Sequence, residues 1–84
     1  MSDLQAAFQQ AMTDSKNLSD RPDNATLLKI YALYKQGSNG DNGDPKPGFS
    51  DPVARAKWDA WSKITGTSPG DAMQQYIDLI ATLG

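Results

Sequence analysis

The sequence predicts an all-α fold: a four-helix bundle with one long loop between its second and third helices. Three observations carry this reading. Apolar residues return at helical spacing in four segments, and each segment opens on an Asp, Ser or Pro able to start a helix. No stretch alternates apolar and polar side chains as a half-buried strand would. The 84 residues, 1–84, make a single domain, and 38% hydrophobic content furnishes one core layer rather than a core plus a deep enclosed site.

The first helix is expected from Ser2, with Gln5 completing a capping box. Leu4, Ala7, Phe8, Ala11, Met12 and Ser15 keep its period to about Lys16. Residues 17–22 are a turn-rich link in which Pro22 bars continuous helix. The second helix is expected to start at Asp23 or Asn24 and run to about Gln36, where Gly37 ends it. Leu27, Leu28, Tyr31, Leu33 and Tyr34 make it apolar over more than a single stripe, so it must face two neighbours, or a neighbour and a ligand.

Residues 37–50 form the long loop, rich in Gly, Asn, Asp, Ser and Pro. Its stretch from Asn39 to Asp44 looks like a calcium loop, but an EF-hand needs a bidentate Glu at the twelfth position. Counting from Asn39, Asp41 or Asp44 lands on Ser50, Pro52 or Arg55, and the chain has no Glu, so these are turns. Asp51 and Pro52 open the third helix, which continues through Val53, Ala56, Lys57, Trp58, Ala60, Trp61 and Ile64 until Gly66 stops it. Trp58 and Trp61 share a face and are expected in the core. Ser68 caps the fourth helix with Pro69 behind it, and Ala72, Met73, Tyr76, Ile77, Ile80 and Leu83 form its buried stripe.

Composition narrows the function. Without cysteine there is no disulfide and no thiolate metal site, which is compatible with a reduced compartment. Without His or Cys a Ser or Thr nucleophile lacks its usual base, so no enzyme is expected. No metal or cofactor is expected either. No apolar run approaches the roughly 20 residues of a membrane span, and residues 1–5 lack the basic and apolar parts of a signal peptide, so the expectation is a cytoplasmic protein. A net charge of −2 argues against a nucleic-acid partner. All ten acids are aspartate, and Asp3, Asp23, Asp51 and Asp71 fall at helix starts as caps and dipole partners.

One run carries more than folding. Read as helix, it puts Tyr31, Tyr34 and Lys35 on one face, two phenols beside an ammonium. Such a face is either ordinary core or a platform for a flat ring and an anion.

Several blocks then occur in a fixed order: Ile30, Tyr31, Tyr34, Lys35 and Gln36; Gly40 and Asp41; Pro47 and Gly48; Ala56 through Trp61 with Lys57, Trp58, Asp59 and Ala60; Gly66, Thr67 and Ser68; and Asp71, Ala72, Met73, Tyr76 and Ile77. Over essentially the whole chain they resemble the acyl-CoA-binding protein family. The resemblance implies a four-helix bundle with a shallow bowl for a medium- to long-chain fatty acyl thioester of coenzyme A, and a non-catalytic monomeric carrier that sequesters and transports it. It implies acyl-CoA-using enzymes as partners. It places Tyr31, Tyr34 and Lys35 on the bowl floor against adenine and the 3′-phosphate, in a ligand-binding run that takes in Ala32 and Leu33. Lys57 supplies a second cation to that phosphate, Tyr76 closes on the nucleotide, and Lys16 lies near the phosphates. Met12, Leu27 and Leu28 would cover the acyl chain, with ordinary core as their alternative role.

Some positions depart from the family. Val53 stands where many relatives have a basic residue, with Arg55 as a partial substitute, and Leu33 replaces a polar or aromatic residue. The chain stops at Leu83 and Gly84 without the lysine-rich extension many relatives carry. Lys29, Lys46 and Lys63 have no motif support and read as solvated surface. A second functional reading is a helical module that docks a protein partner on its Tyr31/Tyr34 face.

Overall fold

The structure is a computed structural model that describes residues 3–83. Helix α1 spans Asp3–Ser15, α2 Asn24–Asn39, α3 Pro52–Ser62 and α4 Pro69–Leu83. The capping box expected at Ser2 lies outside the described residues. The other starts are built as expected. The Asp23 carboxylate accepts from Thr26 N at 2.8 Å, the Asp51 carboxylate from Ala54 N at 3.1 Å, and Ser68 Oγ from Asp71 N at 3.2 Å. Pro52 begins α3, where its missing N–H is no loss.

Two ends differ from the sequence expectation. Helix α2 does not stop at Gly37 but runs to Asn39, with Gly40 at φ +81° as its cap and the Gly40 N–H bonded to Gln36 O at 3.0 Å. Gly37 is interior because it is a packing residue: a Cβ there would lie 3.1 Å from the Phe8 ring and 3.1 Å from the Met73 side chain. Helix α3 ends at Ser62 rather than Ile64, and the chain goes on in turns bonded Ile64 N to Trp61 O and Thr65 N to Ser62 O. Gly66, at φ +95°, closes that segment.

Helix α4 packs on α1 and α2, while α3 packs on α2 alone among the described elements. The core joins Phe8 and Ala11 of α1, Leu33 of α2, and Ala72, Tyr76 and Ile80 of α4. Phe8 meets Tyr76 edge-on at 5.2 Å.

The tryptophans divide. Trp61 is buried, and its indole N–H donates to Gln36 Oε1 at 3.0 Å and to Gly40 O at 2.9 Å. Gln36, fully buried, donates to Asp41 at 2.8 Å and to Thr67 O at 2.7 Å. Trp58 is a correction to the core expectation. It is half-buried, its N–H donates to Asp44 O at 2.8 Å, and the Lys46 ammonium lies 5.7 Å from its ring. Lys46 therefore covers a tryptophan rather than standing only in solvent. With Asn42 donating to Trp58 O and Ser62 Oγ, Trp58 fastens the long loop to α3. The Asp41 and Asn42 side chains are thus occupied in holding the loop, and among the described residues no group of acids is arranged for a metal.

Candidate functional site

Because α3 touches α2 without reaching α1 or α4, an open cleft of about 810 Å³ lies beside their contact. The wall from α2 is Asn24, Leu27, Leu28, Ile30, Tyr31 and Tyr34, and the wall from α3 is Pro52, Val53, Ala56 and Lys57. Each wall repeats at helical spacing, which is why one face of each helix supplies it. Tyr76 of α4, itself in the core, and Arg21 of the α1–α2 link complete the lining.

The two ends have different chemistry. At one, the Lys57 ammonium lies 5.4 Å from the Tyr31 ring, beside Tyr34 and Tyr76. Tyr34, 39% exposed, stacks on Phe8 at 6.4 Å, so the core props it from beneath. The Tyr76 ring is in the core, yet its hydroxyl is not among buried polar atoms lacking a partner and makes no hydrogen bond among the described residues, so it opens onto the cleft. Toward the other end the wall is Leu27 and Leu28, with Ala56 and Val53 opposite. Arg21 and Lys57 are the charged groups of the lining, and no acid lines it. The cleft can therefore stack a flat ring, pair with anions at its tyrosine end and cover an alkyl chain along its middle.

Of the residues expected at the site, the structure brings Tyr31, Tyr34, Lys57, Tyr76, Leu27 and Leu28 together. It does not bring the rest. Ala32 and Leu33, 3% and 2% exposed, point into the core, because a helix that turns Tyr31 and Tyr34 to the cleft must turn the residues between them inward. Met12 is half-buried against the core, the core role weighed for it. Lys35 is outside the lining, its ammonium 5.0 Å from the Trp61 ring. Lys16 is exposed just past the end of α1, away from the lining. Arg55 does not stand in for the missing charge at Val53: it pairs with Asp59 at 3.5 Å and lies 5.6 Å from the Phe49 ring. Val53 itself, 64% exposed, is part of the wall.

Sequence reasoning missed Arg21, Asn24, Ile30, Pro52 and Ala56. Val53 is one turn back from Lys57, and Ala56 is one turn on from both Pro52 and Val53, so extending helical spacing from Val53 would have found Ala56 and then Pro52. Arg21 precedes a helix and has no periodicity to mark it.

The chain is similar to known proteins in sequence and in fold. The family model described as "Acyl CoA binding protein" matches residues 5–80. Acyl-CoA-binding protein homolog 1 of Caenorhabditis elegans is 43% identical over 77 residues, 92% of this chain and 90% of that protein. Enoyl-CoA delta isomerase 2 of Homo sapiens is 42% identical over 79 residues, but the match is 20% of that longer protein. The crystal structure of Oryza sativa Acyl-CoA-Binding Protein 2 superposes with a TM-score of 0.91 at 36% identity, covering 95% of this chain and 89% of that one.

Proposed function

The chain belongs to the acyl-CoA-binding protein family, and from that premise we propose that it is a non-catalytic carrier of medium- to long-chain fatty acyl-CoA thioesters. The observation that carries the reading is the cleft's division into an aromatic, cationic end and an apolar middle. In the proposed complex Tyr31 and Tyr34 stack the adenine, Tyr76 offers its hydroxyl from below, and Lys57 pairs with the 3′-phosphate. Lys35 and Lys16 are mobile arms whose ammonium groups turn toward the phosphates once the ligand is present. Leu27, Leu28 and Ala56 cover the acyl chain. Ala32 and Leu33 hold the tyrosines from beneath rather than touching ligand.

The cleft lining contains no Ser, Thr, Asp or Glu, and the chain has no His or Cys. That supports binding without turnover. The shared domain in the isomerase covers a fifth of that protein, so the likeness brings no isomerase chemistry to this chain. The reading extends to a monomer in the cytoplasm that hands its ligand to acyl-CoA-using enzymes. A concave cleft with an unopposed cation favours a small anionic ligand over a protein docked on the Tyr31/Tyr34 face.

Calorimetric titration with acyl-CoAs of increasing chain length, beside free coenzyme A and free fatty acid, tests the reading. A methylene taken fully out of water contributes about 0.8 kcal/mol, and less in an open groove. Affinity should climb with chain length and level off when the groove is full, with free coenzyme A far weaker. Equal affinity at every length would sink the carrier reading.

A further inference from the structure

The cleft has a second cation whose role the carrier reading leaves open. Arg21, in the link that precedes α2, lines the same cleft as Lys57, and Asn24 of the first turn of α2 lines it too. Between Asn24 and Tyr31 helix α2 rises roughly 10 Å, and the wall over that length includes Leu27 and Leu28. If the tyrosines and Lys57 take the nucleotide, the acyl chain runs along the leucines toward Arg21. Arg21, which precedes Asn24 in sequence, then stands past the leucines on the side away from Tyr31.

Among the described residues nothing occupies that guanidinium. Among the described residues the ion pair is Arg55 with Asp59, and Arg21 has neither an ion pair nor a hydrogen bond. Of its acidic neighbours in sequence, Asp23 is engaged as the cap of α2, accepting from Thr26 N at 2.8 Å, while Asp20 is exposed and does not line the cleft. A methyl group at the chain end gains nothing from a guanidinium or from the Asn24 amide. A carboxylate gains a planar fork matched to it and the positive end of α2.

We propose that Arg21 receives a terminal carboxylate, so that ω-carboxyl acyl-CoAs, the monothioesters of dicarboxylic acids, are ligands of this cleft alongside simple fatty acyl-CoAs. The proposal rests on the acyl-CoA reading given above, and it names a ligand class for the same site.

The test is calorimetric titration of the full chain with octanedioyl-, dodecanedioyl- and hexadecanedioyl-CoA, each beside its monocarboxylic counterpart of equal length. The readout is the affinity ratio of diacid to monoacid thioester in the parent protein, Arg21→Ala and Arg21→Glu. For the lengths that reach Arg21 the ratio should fall about three- to tenfold in Arg21→Ala. It should fall further in Arg21→Glu, and the difference should shrink at high salt. If the ratio is unchanged at every length, or both ligands weaken by the same factor, the inference is overturned while tight binding of palmitoyl-CoA leaves the carrier reading standing. Failure of palmitoyl-CoA to bind the parent protein overturns both.

Discussion

At Tyr31 the ring is half-buried, with the cleft before it and the Lys57 ammonium 5.4 Å away. The core cluster of buried residues leaves it out. Tyr31→Asn should therefore weaken acyl-CoA binding by more than it lowers stability. Titration and thermal unfolding on the same variant check this, and a large drop in melting temperature with unchanged affinity would return the residue to a core role. The lysines should differ from each other. A charge-assisted contact to phosphate contributes about 1.5–3 kcal/mol. Lys57 is already at the tyrosines, so Lys57→Ala should lose most of that. Lys35 must first leave the Trp61 ring, 5.0 Å from its ammonium, giving up roughly 0.5–1 kcal/mol of cation–π attraction. Lys35→Ala should then cost less than Lys57→Ala. Repeating both variants with a ligand lacking the 3′-phosphate completes a cycle. The losses should overlap, and strictly additive losses would mean that neither lysine contacts that phosphate. Tyr31 and Tyr34 were legible as one face of a helix, and Lys57 only through the resemblance of its block to the family. Lys35 was legible as a charge on the same helix, but the attraction of its ammonium to Trp61 depends on a packing that no local pattern records.

Among the elements, the helix starts were legible and the helix ends less so. Asp23, Asp51 and Ser68 mark starts through side-chain bonds to N–H groups three residues on, a local rule. Gly37 misled because glycine ends a helix when it adopts positive φ, and here it instead lets α2 approach Phe8 and Met73. That use is tertiary, so the local sequence does not show it. Gly37→Ala sets two effects against each other. Helix propensity gains about 0.5–1 kcal/mol, while overpacking typically costs about 1–3 kcal/mol. The Met73 side chain can yield, but the Phe8 ring is buried in the core, so the clash should win. Urea unfolding should show a net destabilisation of about 1 kcal/mol. A stabilised Gly37→Ala protein would mean that the ring moves aside freely. Trp58 shows the same limit of local reading: its spacing from Trp61 fixed a shared face but not that the loop, rather than the core, would cover it.

For the whole molecule, three other segments meet α2 at the Gln36 side chain. It joins α2 to the indole of Trp61 on α3, to Asp41 in the loop, and to Thr67 just before α4. Asp41 extends the junction by accepting from Gly66 N at 2.9 Å. That backbone bond first, and the Gln36 amide second, hold the Asp41 carboxyl below its ordinary pKa of 3.8. Asp23 is lowered in the same direction by its bonds from Thr26. For a depressed carboxylate the unfolded chain binds the proton more readily than the folded one. Its stabilisation is thus complete above the ordinary carboxylate range and is lost as pH falls through the folded pKa. Acid should therefore loosen the junction that holds α3 against α2, and the cleft is built on that contact. Asp41→Asn keeps the shape but removes the charge, so its stability should be lower than the parent's at neutral pH and should converge with it as the pH drops below 3.8. Thermal unfolding from neutral pH into the acid range measures the two curves. A constant gap between them at every pH would show that Asp41 acts through shape alone and that its charge does not hold the junction.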